Sequence, residues 1–88
     1  MKKVKYFYME GCPYCRKAFR ILDDLMAKNP EYSNIDIEYI DENKDVKTAN
    51  AHDYYYVPTF YVDGVKVHEG VPTEEKIERV LKEAIKYN

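Results

Sequence analysis

The chain contains only two cysteines, and they stand two residues apart as Cys12-Pro13-Tyr14-Cys15. Sulfurs at that spacing can close and open a disulfide within one turn of backbone, or form half of a metal site. The second possibility needs further ligands, and the only histidines, His52 and His68, lack the paired short spacing of a zinc set. Each reads instead as a lone surface histidine, and no metal site is expected. A purely structural bridge is disfavoured as well, because closing so short a loop removes little entropy from the unfolded chain. Reversible thiol chemistry is the reading that uses both cysteines.

That chemistry depends on where the pair sits. Val4 to Met9 is β-branched and aromatic without a breaker, as in a buried strand, and Glu10-Gly11 ends it. From Pro13 to Lys28 the residues Ala18, Phe19, Leu22, Leu25 and Met26 recur on one helical face, and Asn29-Pro30 stops the helix. Cys12 therefore falls at the N-cap, with Pro13 at the first helical position, where its fixed φ and missing N–H suit it. Free amides and the helix dipole favour an anion there, which predicts a Cys12 thiolate well below the free-cysteine range of about 8.5. A fall to around 5 would raise the thiolate fraction at pH 7 by ~30-fold, a gain that the lower nucleophilicity approximately cancels. The larger effect is on leaving-group quality and selectivity. Cys12 is thus the expected nucleophile and Cys15, one turn further in, the resolving thiol.

The remaining elements must hold this pair in place. Ile35, Ile37 and Tyr39 alternate with Asp36 and Glu38 before Ile40, predicting a second strand, and Asp41 is placed to cap a short helix through about Ala51. Thr59 to Val62 and Val65 to Glu69 flank Asp63-Gly64, a strong hairpin signal. Thr73 can cap a last helix with Glu74 and Glu75 in its first turn and Ile77, Val80, Leu81, Ala84 and Ile85 on one face. The order β-α-β-α-β-β-α, with no repeat or linker, predicts an α/β thioredoxin-like fold: a central four-stranded mixed sheet flanked by helices on both faces. At 88 residues, one domain over 1–88 is expected.

Composition narrows the class. A net charge of -2 with basic and acidic residues interspersed leaves no basic stripe to track a phosphate backbone, so nucleic acid is not an expected partner. Met1-Lys2-Lys3 is like the start of a signal peptide, but the apolar stretch after it is broken within a few residues, and no segment approaches a membrane span. A cytoplasmic protein is therefore expected; two cysteines do not make the multi-bridge framework of a small secreted domain, and in a reducing compartment a lone close pair is usually redox-active or metal-binding.

Cys12-Pro13-Tyr14-Cys15 after a first strand, followed by Val57-Pro58-Thr59 before a Gly-turn hairpin, resembles a glutaredoxin over essentially the whole chain. The resemblance implies a monomeric dithiol oxidoreductase that reduces protein or glutathione mixed disulfides, with no bound cofactor and glutathione as reductant. It implies a cis Val57-Pro58 bond beside Cys12, with Val57 pairing to an extended substrate backbone. Pro13, Tyr14 and Thr59 would border the substrate, while Gly70, Thr73 and Glu74 correspond to the glutathione-contacting positions. Of the run Tyr54-Tyr55-Tyr56, strand alternation would set Tyr55 alone toward the ligand. Arg16 and Lys17 could attract carboxylates or simply be solvated.

The departures are specific. Glu10 stands near where glutaredoxins commonly carry a lysine, Gly70-Val71 replaces their Gly-Gly, and Tyr6 occupies the place of the buried aspartate of thioredoxins. The alternatives are therefore a thioredoxin-like protein reduced by a reductase, an iron-sulfur or zinc-binding module using Cys12 as ligand, or a redox-inert adaptor.

Overall fold

The protein is described by a computed structural model covering residues 1–86. Its elements are β1 (Val4–Tyr8), α1 (Pro13–Lys28), a 3₁₀ turn (Pro30–Asn34), β2 (Ile37–Asp41), α2 (Val46–Asn50), β3 (Thr59–Val62), β4 (Val65–Glu69) and α3 (Glu74–Ile85). The strands form one sheet in the order β2-β1-β3-β4. β1 runs parallel to β2 and antiparallel to β3, and β3 is antiparallel to β4. This is the thioredoxin-like α/β architecture expected from the element order.

Strand alternation divides the core in two. Val4 and Tyr6 of β1 and Phe60 and Val62 of β3 point to one face, where Ala18, Leu22 and Leu25 of α1 meet Ile77, Val80, Leu81 and Ala84 of α3. Phe7 and Tyr61 point the other way and pack with Ile40 and with Ala49 of α2. The buried positions of α1 and α3 follow the helical spacing of the sequence.

The caps are local and specific. Thr73 Oγ1 accepts the Lys76 amide at 3.1 Å, and the Asn29 side chain donates to the Leu25 carbonyl at the end of α1. At the hairpin both Asp63 and Gly64 have positive φ (51° and 82°), the handedness a two-residue turn needs to match strand twist.

Four expectations are corrected. Asp41 does not cap α2: strand pairing continues to Tyr8 opposite Asp41, so Asp41 ends β2, and its carboxylate accepts the Asn43 amide. The cap is Asp45, which accepts the Thr48 amide, and the helix is correspondingly short. The second strand begins at Ile37, because Pro30–Asn34 winds into a 3₁₀ turn that buries Tyr32 and lets its hydroxyl donate to Glu78 on α3 at 3.0 Å. Tyr39, expected inward, stacks on Phe19 yet stays 48% exposed, because β2 is an edge strand. Finally, His68 is no surface residue; it is buried, with its ring nitrogen Nε2 bonded to the Gly70 carbonyl. No helix among the described residues is long and apolar enough to cross a membrane.

Candidate functional site

One end of the sheet gathers every segment the sequence singled out. Phe7 of β1 pairs with Thr59 at the start of β3, and Thr59 pairs with Glu69 at the end of β4. The chain leaving β1 toward Cys12, the Val57-Pro58 approach to β3 and the Gly70 exit from β4 therefore emerge side by side. Crevices at strand ends are where open α/β sheets place their ligands.

The turn from β1 into α1 uses Gly11, at φ +83°, to reach the helix start. Cys12 is the N-cap in extended conformation and Pro13 the first helical residue. The Cys15 amide donates to Cys12 Sγ at 3.2 Å, and no acidic residue in the first turn offsets the dipole there. Both cysteines are free. Both are buried, Cys12 at 7% exposure and Cys15 at 1%, so Cys12 is the nearer of the two to solvent. Burial, and next the hydrogen bond with Cys12, push the Cys15 thiol up to about 12, against a smaller opposing pull from the Met9 amide. Cys15 is thus held as a thiol at neutral pH.

Tyr6 lies beneath the pair. Its ring is fully buried and stacked on Phe60 with centroids 4.3 Å apart, and its hydroxyl donates to the Cys15 carbonyl at 2.8 Å. Burial raises this phenol far above its ordinary range, so it stays neutral and acts as a donor.

At the entry to β3, on the same end of the sheet, the Val57-Pro58 bond is cis, as the resemblance implied. The Gly70 amide donates to the Pro58 carbonyl at 2.9 Å, with Gly70 at φ +96°, which ties the exit of β4 to this loop. Among the described residues, neither the amide nor the carbonyl of Val57 has a hydrogen-bond partner, which leaves an open main-chain edge. Thr59 is a different case: it is fully buried and its hydroxyl donates to the Tyr56 carbonyl, so it shapes the loop from within.

The remaining predicted residues divide. Pro13 and Tyr14 are exposed on the first turn of α1. The Thr73 hydroxyl is committed to capping α3, and Glu74 is an exposed first-turn residue. The alternation expected through Tyr54–Tyr56 fails because residues 53–58 belong to no strand. Tyr54 turns inward, its ring 5.0 Å from Phe7 and its hydroxyl on Glu42, while Tyr55 and Tyr56 are both exposed, at 86% and 70%. Arg16 and Lys17 are exposed, and Glu10 pairs with Lys44 at 3.5 Å.

Sequence reasoning missed Glu69, whose carboxylate accepts the amides of both Tyr55 and Tyr56 and pairs with Lys66. A glutamate ending a strand carries no signal of such a role. No cluster of three or more histidines, cysteines or acidic residues suited to a metal ion occurs among the described residues.

A four-stranded mixed sheet with a free Cys-Pro-Tyr-Cys pair at the start of α1 and a cis-proline at the entry to β3 defines a thioredoxin-fold dithiol protein. Comparison with known proteins agrees: the thioredoxin-domain family profile matches residues 2–82. The chain is 25% identical over 83 residues to a thioredoxin of Methanocaldococcus jannaschii, covering 94% of this chain and 95% of that one. It is 31% identical over 74 residues to a probable thioredoxin of Methanothermobacter thermautotrophicus, covering 84% and 85%. Among solved structures, a thioredoxin variant from Halobacterium salinarum shares the fold at a TM-score of 0.70 and 20% identity, over 99% of this chain and 77% of that one. The chain belongs to the thioredoxin-domain family and is a thiol-disulfide oxidoreductase. Both relatives carry the name thioredoxin, the second as a probable one.

Proposed function

We propose that this protein reduces disulfides of polypeptide substrates by dithiol exchange, with Cys12 as nucleophile and Cys15 as resolving thiol, and that a thioredoxin-type reductase rather than glutathione returns it to the reduced state. The observation that carries the assignment of roles is the Cys15 amide on Cys12 Sγ at a helix start, together with the deeper burial of Cys15. The Cys15 amide and the start of α1 are turned to Cys12 Sγ, whereas burial keeps Cys15 a thiol.

The Cys12 thiolate attacks one sulfur of the substrate disulfide, forming a mixed disulfide and releasing the other sulfur as a thiolate that takes a proton from solvent. In the mixed disulfide Cys12 carries no charge and no longer opposes ionisation of Cys15. Cys15 loses its proton and attacks Cys12 Sγ, and the second substrate sulfur leaves and is protonated. The substrate disulfide has gained two electrons and two protons, and the protein holds a Cys12–Cys15 disulfide. The Val57 edge pairs with the extended backbone around the target disulfide in the manner of an added strand, with Pro58 packed against it. Tyr14, Tyr55, Pro13 and Gly70 border that path, Thr59 supports it from within, and Thr73 caps α3.

Reduction by glutathione is the second reading, because an unpaired main-chain edge accepts a short thiol peptide as well as a protein. Against it stands Glu10, whose carboxylate takes the place of a cation at the approach to Cys12. The test compares turnover of the oxidised protein by reduced glutathione with turnover by a thioredoxin reductase and its nicotinamide cofactor. Efficient turnover by the reductase and slow turnover by glutathione are expected; the reverse would establish a glutaredoxin.

A further inference from the structure

Segment 53–58 pairs with no strand, yet it carries the open main-chain edge of Val57 to which the proposed function assigns substrate docking. Its position is fixed from outside, mainly by β4. Two consecutive amides, of Tyr55 and Tyr56, converge on Oε2 of Glu69, the latter at 2.9 Å. Successive N–H groups aimed at one point make an anion-binding concavity, and here the chain supplies its own anion. The second carboxylate oxygen takes Lys66 Nζ at 2.7 Å, and the same ammonium donates to the Asp53 carbonyl at 3.2 Å. The residue after Glu69 then holds the far end of the segment, through Gly70 N–H on the Pro58 carbonyl.

We propose that Glu69 is a positioning residue for the exchange reaction: its carboxylate holds the Tyr55-Tyr56 turn so that the adjoining Val57 edge is set for the backbone of a disulfide-bearing polypeptide. This rests on the reading that Val57 pairs with substrate. Bonds from amides to a carboxylate are roughly twice as strong as those between neutral groups, and such a bond is made before substrate arrives, so the loop is ordered in advance. Lys66 and the two amides hold the Glu69 carboxyl down at about 2, so the clamp is ionised throughout the range in which thiol exchange operates. Glu69 touches neither sulfur. Its loss therefore acts on substrate docking and leaves the Cys12 thiolate as it was.

The test uses the full chain with insulin as the disulfide probe and dithiothreitol as reductant, comparing the wild type with Glu69→Ala and Glu69→Gln. Glu69→Ala is expected to raise KM for insulin about tenfold, the value of one charge-assisted bond, with kcat within about twofold and Cys12 alkylation by iodoacetamide unchanged. Glu69→Gln keeps a neutral oxygen for the two amides but no charge for Lys66, and should recover about half of the loss, leaving KM about threefold above the wild type. Amide hydrogen exchange at Tyr55 and Tyr56 should accelerate in Glu69→Ala. Unchanged exchange would overturn the clamp itself. Faster exchange with an unchanged KM would overturn the proposal by a different route, showing that Val57 does not dock the substrate. Parallel changes in kcat, KM and Cys12 alkylation would reduce Glu69 to a general structural role. Should Glu69→Ala fail to fold, Glu69→Asp, which keeps the charge but withdraws it by one methylene, serves in the same comparison with the same outcomes.

Discussion

The reduced protein should present two thiols of very different reactivity, and the sharper prediction concerns the inner one. Cys15 is pushed from an ordinary 9 up to about 12, chiefly by burial. A thiol so placed ionises about a thousandfold less than an ordinary one at any pH below 9, since each pH step is tenfold in thiolate. Cys12→Ser removes the partner sulfur's hydrogen bond and charge from that sum but leaves the burial, which is the largest cause. In folded Cys12→Ser protein, alkylation of Cys15 by iodoacetamide should be at least ~100-fold slower at pH 7 than that of an unstructured cysteine peptide. It should still rise about tenfold per pH step through pH 9. The assay is a pseudo-first-order alkylation series followed by mass spectrometry, with a urea-unfolded control that restores ordinary reactivity. The pH slope is decisive, because steric shielding would slow the reaction equally at every pH without moving the plateau. A plateau at pH 8 to 9 would refute the reasoning, since Cys15 would then ionise like an exposed thiol.

Two further predictions concern the support around the pair. Tyr6→Phe removes a buried hydroxyl that donates to the Cys15 carbonyl while keeping the ring stacked on Phe60. The loss of one such bond should cost about 0.5–1.5 kcal/mol. At about 4–8 °C per kcal/mol for a domain of this size, the thermal midpoint should fall measurably, and an unchanged midpoint would contradict the role given to the hydroxyl. Glu69 provides a signed pH effect: its carboxyl drops from 4.5 to about 2 on folding, so its stabilisation is present above pH 4.5 and is lost as pH falls toward 2. The difference in thermal midpoint between the wild type and Glu69→Gln should shrink over that interval, and be smaller in high salt, because the group is close to solvent. A constant difference from pH 5 to pH 2 would show that the Glu69 charge does not stabilise the fold.

The strands and helices that carry strong periodicity were legible in the sequence. Ala18, Leu22 and Leu25, or Ile77, Val80 and Leu81, mark a buried helical face however the rest of the chain is arranged. Asp63-Gly64 states its own turn chemistry, and the cysteine pair before Pro13 states its place at a helix start. Local pattern failed where tertiary pairing decides. Asp41 and Asp45 are equally good caps in isolation, and only the ladder to Tyr8 claims Asp41 for β2. The three tyrosines before Val57 look like a strand by residue type, but no neighbouring strand remains to pair with them, so their side chains do not alternate. His68 looks like a surface residue until β4 is placed, after which its ring is buried at the sheet end. Glu69 is the extreme case: its partners are the amides of Tyr55 and Tyr56, groups every residue possesses, and no sequence pattern can name them.

The central claim is the division of labour between the two sulfurs, and trapping tests it directly. Incubating Cys15→Ser protein with insulin or another disulfide-bearing polypeptide, then separating without reductant, should yield a covalent complex joined through Cys12. Cys12→Ser under the same conditions should yield none. Accumulation of a complex through Cys15 in the Cys12→Ser protein, with none through Cys12 in Cys15→Ser, would contradict the account and reverse the roles.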